Sequence, residues 1–161
     1  MTEVDYFAFY DIKGIVKLPK SITKIAKECF GQYVTKVDLS ETKVKTIPSD
    51  LFLNYGDNDD SDPIVSEVIL PKGCKKIESN AFYRCKNLKN ITIPKKVTKI
   101  GEKAFNKKCK TYYIKGDTLP SGLEIQPMKK ATIYVKSTLL SKAKKVLKSR
   151  ISAGDCVVKK K

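Results

Sequence analysis

Histidine and tryptophan are absent from the 161 residues, and arginine occurs only as Arg84 and Arg150. Without histidine the chain lacks the usual general base, the imidazole ligand of zinc sites, and both the Ser/His and Cys/His nucleophile pairs. It has no glycine-rich phosphate loop and no dinucleotide fingerprint. Its cysteines (29, 74, 85, 109 and 156) form no C-x-x-C pair, which argues against zinc and thioredoxin-type chemistry. No apolar run approaches the roughly 20 residues that a membrane helix needs. The opening MTEVDYFAFYDIKG lacks a basic region followed by an apolar one, and the closing VVKKK carries no lipidation motif. With no signal peptide or anchor recognisable, the sequence alone reads as cytoplasmic. The expectation is a protein that is not an enzyme and uses no cofactor.

What is present is charge and repetition. Lysine and arginine number 33 against 17 acids, a net charge of +16. Hydrophobic residues make up 41%, enough for one globular domain or one short solenoid at this length. The stretch from Val65 to Cys109 contains two copies of one pattern. Pro71 matches Pro94, Ile77 matches Ile100, Ala81 matches Ala104 and Phe82 matches Phe105, at an offset of 23 residues (94 − 71). Self-similarity at this period marks a stack of like coils. In the second copy Leu88, Ile91 and Ile93 alternate with Asn90 and Thr92, as in a strand with one face inward. Pro94 then ends the strand, having no N–H to give a ladder. Val97, Ile100, Ala104 and Phe105 follow at spacings that suit a short helical or irregular return.

The same plan extends outward. Val16 and Leu18 open an earlier coil that ends at Phe30, and Val37 and Leu39 open one that ends at Phe52. Ile25, Ile47, Ile77 and Ile100 each stand five before their Phe, so Phe30, Phe52, Phe82 and Phe105 should stack inside. Past Phe105 the strand alternation persists at Tyr112 and Ile114, then at Ile133 and Val135, while the Ala-Phe pair is lost. About six parallel strands result, with Asp155 to Val158 a further short one.

The order L-x-x-I-x-I-P-x-x-V-x-x-I-G-x-x-A-F, read from Leu88 to Phe105 and followed by Cys109, resembles the BspA-type leucine-rich repeat. The resemblance is close in the two central units and looser in the flanking ones. It implies a short right-handed leucine-rich-repeat solenoid of α/β type, with a parallel sheet on one face and returns on the other. It also implies adhesion or host-protein recognition, since similar proteins are often surface-displayed. The division expected is an N-terminal cap over 1–14, a solenoid over 15–136 and a C-terminal capping helix and tail over 137–161. In the cap, Tyr6, Phe7, Phe9 and Tyr10 are read as covering the open end of the core, in preference to an aromatic binding patch. In the C-terminal segment Leu139, Leu140, Ala143, Val146, Leu147 and Ile151 share one helix side behind a Ser137 N-cap. Capping is preferred there over peripheral membrane contact through 137–151.

An insertion over 54–63 carries Asp57, Asp59, Asp60 and Asp62. Asp57, Asp59 and Ser61 have the alternate spacing of calcium ligands, yet Asp62 stands where the loop needs glycine and Val68 where it needs glutamate. A solvated loop making salt contacts with lysines is the preferred reading, and no metal ligands are assigned. Cys74 takes the place of Val97, and Cys29 that of Ala81 and Ala104, so reduced core thiols are expected over a Cys85–Cys109 disulfide.

The remaining surface is the outward side of the strands. Lys17, Asp38, Ile69, Thr92, Tyr113 and Tyr134 form one row across the coils, and Lys36, Glu67, Asn90, Thr111 and Thr132 form a second. The candidate partner-binding residues are Lys17, Asp38, Glu67, Ile69, Asn90, Thr92, Tyr113 and Tyr134. Tyrosine suits interface centres because it is broad, rigid and amphipathic. A protein partner is the leading expectation. The alternative is an electrostatic binder of a polyanion, nucleic acid or anionic membrane, through the lysine-rich surface. Nucleic acid is the weaker of these, since its sites favour arginine.

Overall fold

The computed structural model describes residues 2–52 and 62–161. Its strands are β1 (Glu3–Val4), β2 (Gly14–Lys17), β3 (Lys24–Ile25), β4 (Val34–Asp38), β5 (Thr46–Ile47), β6 (Glu67–Ile69), β7 (Lys76–Ile77), β8 (Asn90–Ile93), β9 (Lys99–Ile100), β10 (Thr111–Ile114), β11 (Ala131–Val135) and β12 (Cys156–Lys160). Every pairing between them is parallel. The wide face of the solenoid carries two sheets, β2-β4-β6 and β8-β10-β11-β12. A narrow face carries β1-β3 and β5-β7-β9. Strands are thus stacked coil upon coil and never folded back as hairpins, so each coil buries its apolar side only with the help of its neighbours.

The narrow strands decide between the two forms of return expected. Among the described residues the returns that carry them are two-residue strands joined by tight turns, the irregular form. The spacing of three, four and one among Val97, Ile100, Ala104 and Phe105 comes from a chain that bends repeatedly around a small core. One bend recurs in coil after coil as a left-handed residue two before the column ring: Phe7, Glu28, Asp50, Asn80 and Lys103, with φ between 47° and 58°. In the last four of these coils the next residue, Cys29, Leu51, Ala81 or Ala104, is buried. Glycine serves a different need at Gly101. A Cβ there would lie 2.3 Å from the backbone nitrogen of Ser79 in the coil before, so the two chains touch.

The phenylalanines form the interior column. Ring centroids lie 5.4 Å apart for Phe9–Phe30 and for Phe30–Phe52, 6.4 Å for Phe52–Phe82 and 5.6 Å for Phe82–Phe105. Backbone bonds follow the same column, with the Phe82 N–H donating to the Ala104 carbonyl at 2.7 Å. Phe9 extends the column by one ring beyond the expected four. Residues 3–9 therefore repeat the lower half of a coil, with β1 on β3 and Phe9 on Phe30. Of the four aromatics there, Phe9 alone packs against the core, and Tyr6, Phe7 and Tyr10 stay exposed.

At the other end the column stops on polar groups. Tyr112 meets Phe105 edge-on, with centroids 5.5 Å apart. Gln126 is fully buried where the next phenylalanine would come. Its amide nitrogen donates to the carbonyls of Gly101 and Gly122 at 2.8 and 2.7 Å, and its oxygen accepts from the Phe105 N–H at 3.4 Å. One amide side chain thus substitutes for the backbone partners that a further coil would supply.

The C-terminal segment differs in detail from the single helix expected. A 3-10 turn over Ser137–Leu139 leads into α1 (Leu140–Val146), and α2 (Lys148–Ser152) follows after a break at Leu147. Ser137 does not cap through its side chain. Leu139, Ala143 and Leu147 are buried, and Val146 is exposed because the break rotates it away. Gly154, at φ 73°, ends α2 in the left-handed conformation usual after a helix. Arg150 fastens the segment to the last coil by donating to the carbonyls of Gln126 and Met128 at 3.0 and 3.2 Å.

Two substitutions test this packing in opposite directions. Phe82→Ala should cost about 3–5 kcal/mol in urea unfolding, since it empties the middle of the column. Phe7→Asn should raise stability by about 1 kcal/mol, since asparagine tolerates the left-handed conformation that an exposed phenylalanine adopts there at a cost.

Candidate functional site

Strand register decides which outward residues meet. Lys17, Asp38 and Ile69 are paired in line across β2, β4 and β6. Thr92, Tyr113 and Tyr134 are paired in line across β8, β10 and β11, as are Asn90, Thr111 and Thr132. Lys36 lies opposite Glu67, and their charged ends meet at 2.9 Å. The rows read from sequence therefore exist, but each is broken once. Among the described residues no ladder joins β6 to β8, although β7 and β9 of the same two coils remain paired on the narrow face. The wide face is split there while the opposite wall stays closed.

The split opens a groove of about 450 Å³. Five of the eight candidate residues line it: Glu67, Ile69, Asn90, Thr92 and Tyr113. Its floor is apolar, with Val68, Leu70, Ile91 and Pro94. Lys72, Lys95 and Lys115 line the end past the strands' C-termini. The sequence reading missed these lysines because it followed strand alternation, which stops at the strand end. A signal was present in the recurrent Pro-Lys pairs, Pro19–Lys20, Pro71–Lys72 and Pro94–Lys95.

The other three candidates sit outside the groove. Tyr134 stacks on Tyr113 at 5.1 Å with ring planes 12° apart, so it supports the groove wall from the next strand. Lys17 borders a shallow depression with Leu18, Pro19, Lys20 and Glu41 near the first coils. Asp38 is held ionised below the usual carboxylate range, chiefly by Ser40, whose backbone N–H donates to it at 2.9 Å. That bond closes a local turn, a structural use for this carboxylate.

Electrostatics at the groove are uneven. Glu67 is neutralised by Lys36, and Lys95 by Asp117 at 2.8 Å. Asp117 also meets Lys136, and the two lysines pull its carboxyl down to about 2. Lys72 and Lys115 have no acidic partner among the described residues. The Lys161 ammonium lies 5.2 Å above the Tyr113 ring and beside that of Lys115, whose proton affinity it lowers. Among the described residues no carboxylate side chain pairs with Lys115 or Lys161.

Elsewhere the sequence candidates resolve into structure. The calcium spacing of Asp57, Asp59 and Ser61 lies outside the described residues. Asp62 is described, and it pairs with Arg84 at 3.1 Å and with Lys86. All five cysteines are free and buried. Burial pushes the Cys74 and Cys109 thiols up to about 11 and holds those of Cys29, Cys85 and Cys156 above the ordinary range as well. In the C-terminal segment Leu139, Ala143 and Leu147 are buried in the core, while Val146 and Val157 remain exposed. No helix among the described residues is long and apolar enough to cross a membrane.

Comparison with protein families adds to this geometry. A model described as a BspA type leucine rich repeat region matches residues 1–62 and 60–127, in 6 copies. The chain belongs to the BspA-type leucine-rich repeat family. No curated protein matches it. Repeats of this family are typically non-catalytic and serve as protein-interaction modules, and the match reaches back to residue 1, where the column begins with Phe9.

The buried thiols give a pH-dependent prediction. Thiols protonated in the native state and free to ionise when unfolded stabilise the fold fully below about pH 8.5 and progressively less above it. Unfolding free energy should therefore decline as pH rises from about 9 toward 11. Cys109→Ala should lessen that decline in urea titrations across the range. At pH 8 the native thiols should resist Ellman's reagent, and urea should expose them.

Proposed function

We propose that this chain is a non-catalytic protein-recognition module that reads its partner with the wide face, centred on the groove between β6 and β8. Residues 1–14 and 137–161 close the two ends of the stack. The observation that carries this reading is the single split in the sheet face, which gathers Glu67, Ile69, Asn90, Thr92 and Tyr113 around one apolar floor. A flat sheet offers only polar ends to water, whereas a groove lets a partner's side chain leave solvent, and desolvated anchors dominate protein recognition. The resemblance extends the proposal to adhesion or host-protein binding.

A second reading keeps one observation in its favour, the net charge of +16. It is an electrostatic binder of nucleic acid or another polyanion. Its lysines are dispersed and several are paired within the chain, as Lys24 with Glu3 and Lys76 with Glu78. Dispersed lysines hold polyanions weakly and without register.

Affinity capture with wild-type protein and two groove variants separates the readings. Ile69→Lys and Tyr113→Ala should weaken a protein partner by about tenfold or more each, while Lys144→Gln leaves it unchanged. A partner retained by both groove variants, or one whose affinity falls by several powers of ten between about 50 and about 200 mM salt, would overturn the proposal in favour of the polyanion.

A further inference from the structure

The groove is chemically polarised. Its Glu67 end is neutralised by Lys36, and its middle is apolar at Ile69 and Leu70. Its far end presents Lys72 and Lys115, with Lys161 alongside Lys115 and over the Tyr113 ring. Lys115 in the groove wall and Lys161 over the Tyr113 ring bring two ammonium groups to this end. Neither is paired with a carboxylate side chain among the described residues, and an anion placed there gains charge-assisted hydrogen bonds. The neighbouring coil already shows the arrangement filled. Lys95 and Lys136 clasp the Asp117 carboxylate between them. Lys115 and Lys161 flank Tyr113 and offer a second pair of ammonium groups to a carboxylate.

From this we infer that the groove takes an acidic peptide segment, with a Glu or Asp carboxylate between Lys115 and Lys161 and a following apolar side chain on Ile69 and Leu70. The inference rests on the reading of the wide face as a protein-recognition surface and adds the chemistry of what it recognises. Peptide fits better than nucleic acid for two reasons. The Tyr113 ring is already stacked on Tyr134 and topped by Lys161, so no base gains a free stacking platform. No arginine lines the groove to fork onto a phosphate, and an apolar floor has no use for a sugar-phosphate chain. The size agrees as well, since about 450 Å³ accommodates one or two side chains and no folded element.

The test uses two capped synthetic peptides, acetyl-Gly-Glu-Leu-Phe-Gly-amide and the same peptide with Gln for Glu. Binding to the full chain is followed by amide chemical shifts at low salt. The Glu peptide should bind about tenfold more tightly than the Gln peptide, the worth of one charge-assisted contact. It should shift Ile69, Thr92 and Tyr113. In the double variant Lys115→Gln/Lys161→Gln the two peptides should bind equally. In Lys144→Gln/Lys148→Gln, which loses the same charge elsewhere, the tenfold preference should persist. Equal binding of both peptides in the wild-type groove would overturn the carboxylate clasp and leave the recognition surface standing. Shifts confined to other surfaces, or none, would overturn the inference outright. A single-stranded oligonucleotide that displaces the Glu peptide and loses affinity in the Lys115/Lys161 variant would reassign the site to nucleic acid.

Discussion

Everything in this molecule depends on the inability of one coil to bury its own apolar side. Each turn contributes two or three inward strand residues, one isoleucine on the narrow face and one aromatic ring, and these are too few to exclude water alone. Stacked, they form one interior. The column from Phe9 to Phe105 shows this most directly, because successive rings lie 5.4 to 6.4 Å apart from one coil to the next. Stability is then a sum of neighbour terms, and damage at one coil is felt at the coils beside it.

The outermost coils of such a stack need their open sides covered. Ahead of the first wide strand, β1 and Phe9 extend the narrow sheet and the aromatic column by one position. At the finish Gln126 supplies hydrogen-bonding groups in place of a missing coil, Tyr112 closes the column edge-on, and Arg150 fastens two short helices across the opening. The buried amide is tolerable because its oxygen and nitrogen are matched by backbone groups.

The surface proposed for recognition follows from the same architecture. Parallel coils place the same repeat position side by side, so outward residues come in rows. A continuous ladder would make those rows a flat polar ribbon. The break between β6 and β8 converts part of the ribbon into a groove, and it is affordable because β7 and β9 keep the same coils joined on the other face. A basic end beside an apolar floor gives that groove a direction along the strands.

The repeat period, the inward residues of each strand, the aromatic column and the register of the outward rows were all legible in the residues. They depend on local alternation and on matching positions 21 to 23 apart, as in Pro71 and Pro94 or Ile91 and Tyr112. Strand alternation says nothing about residues beyond a strand's end, so Lys72, Lys95 and Lys115 escaped it. The returns were left open between helical and irregular because bends at left-handed residues imitate helical spacing. The break in the wide sheet was invisible for a deeper reason. Whether two neighbouring strands close their ladder depends on how whole coils settle against one another, and the equivalent residues on either side of the gap look alike in sequence. The chain's order alone determined that this protein is a stack of coils with an outward-facing ribbon; only the packed structure decided where that ribbon opens, because the opening belongs to the fit between coils and to no single one of them.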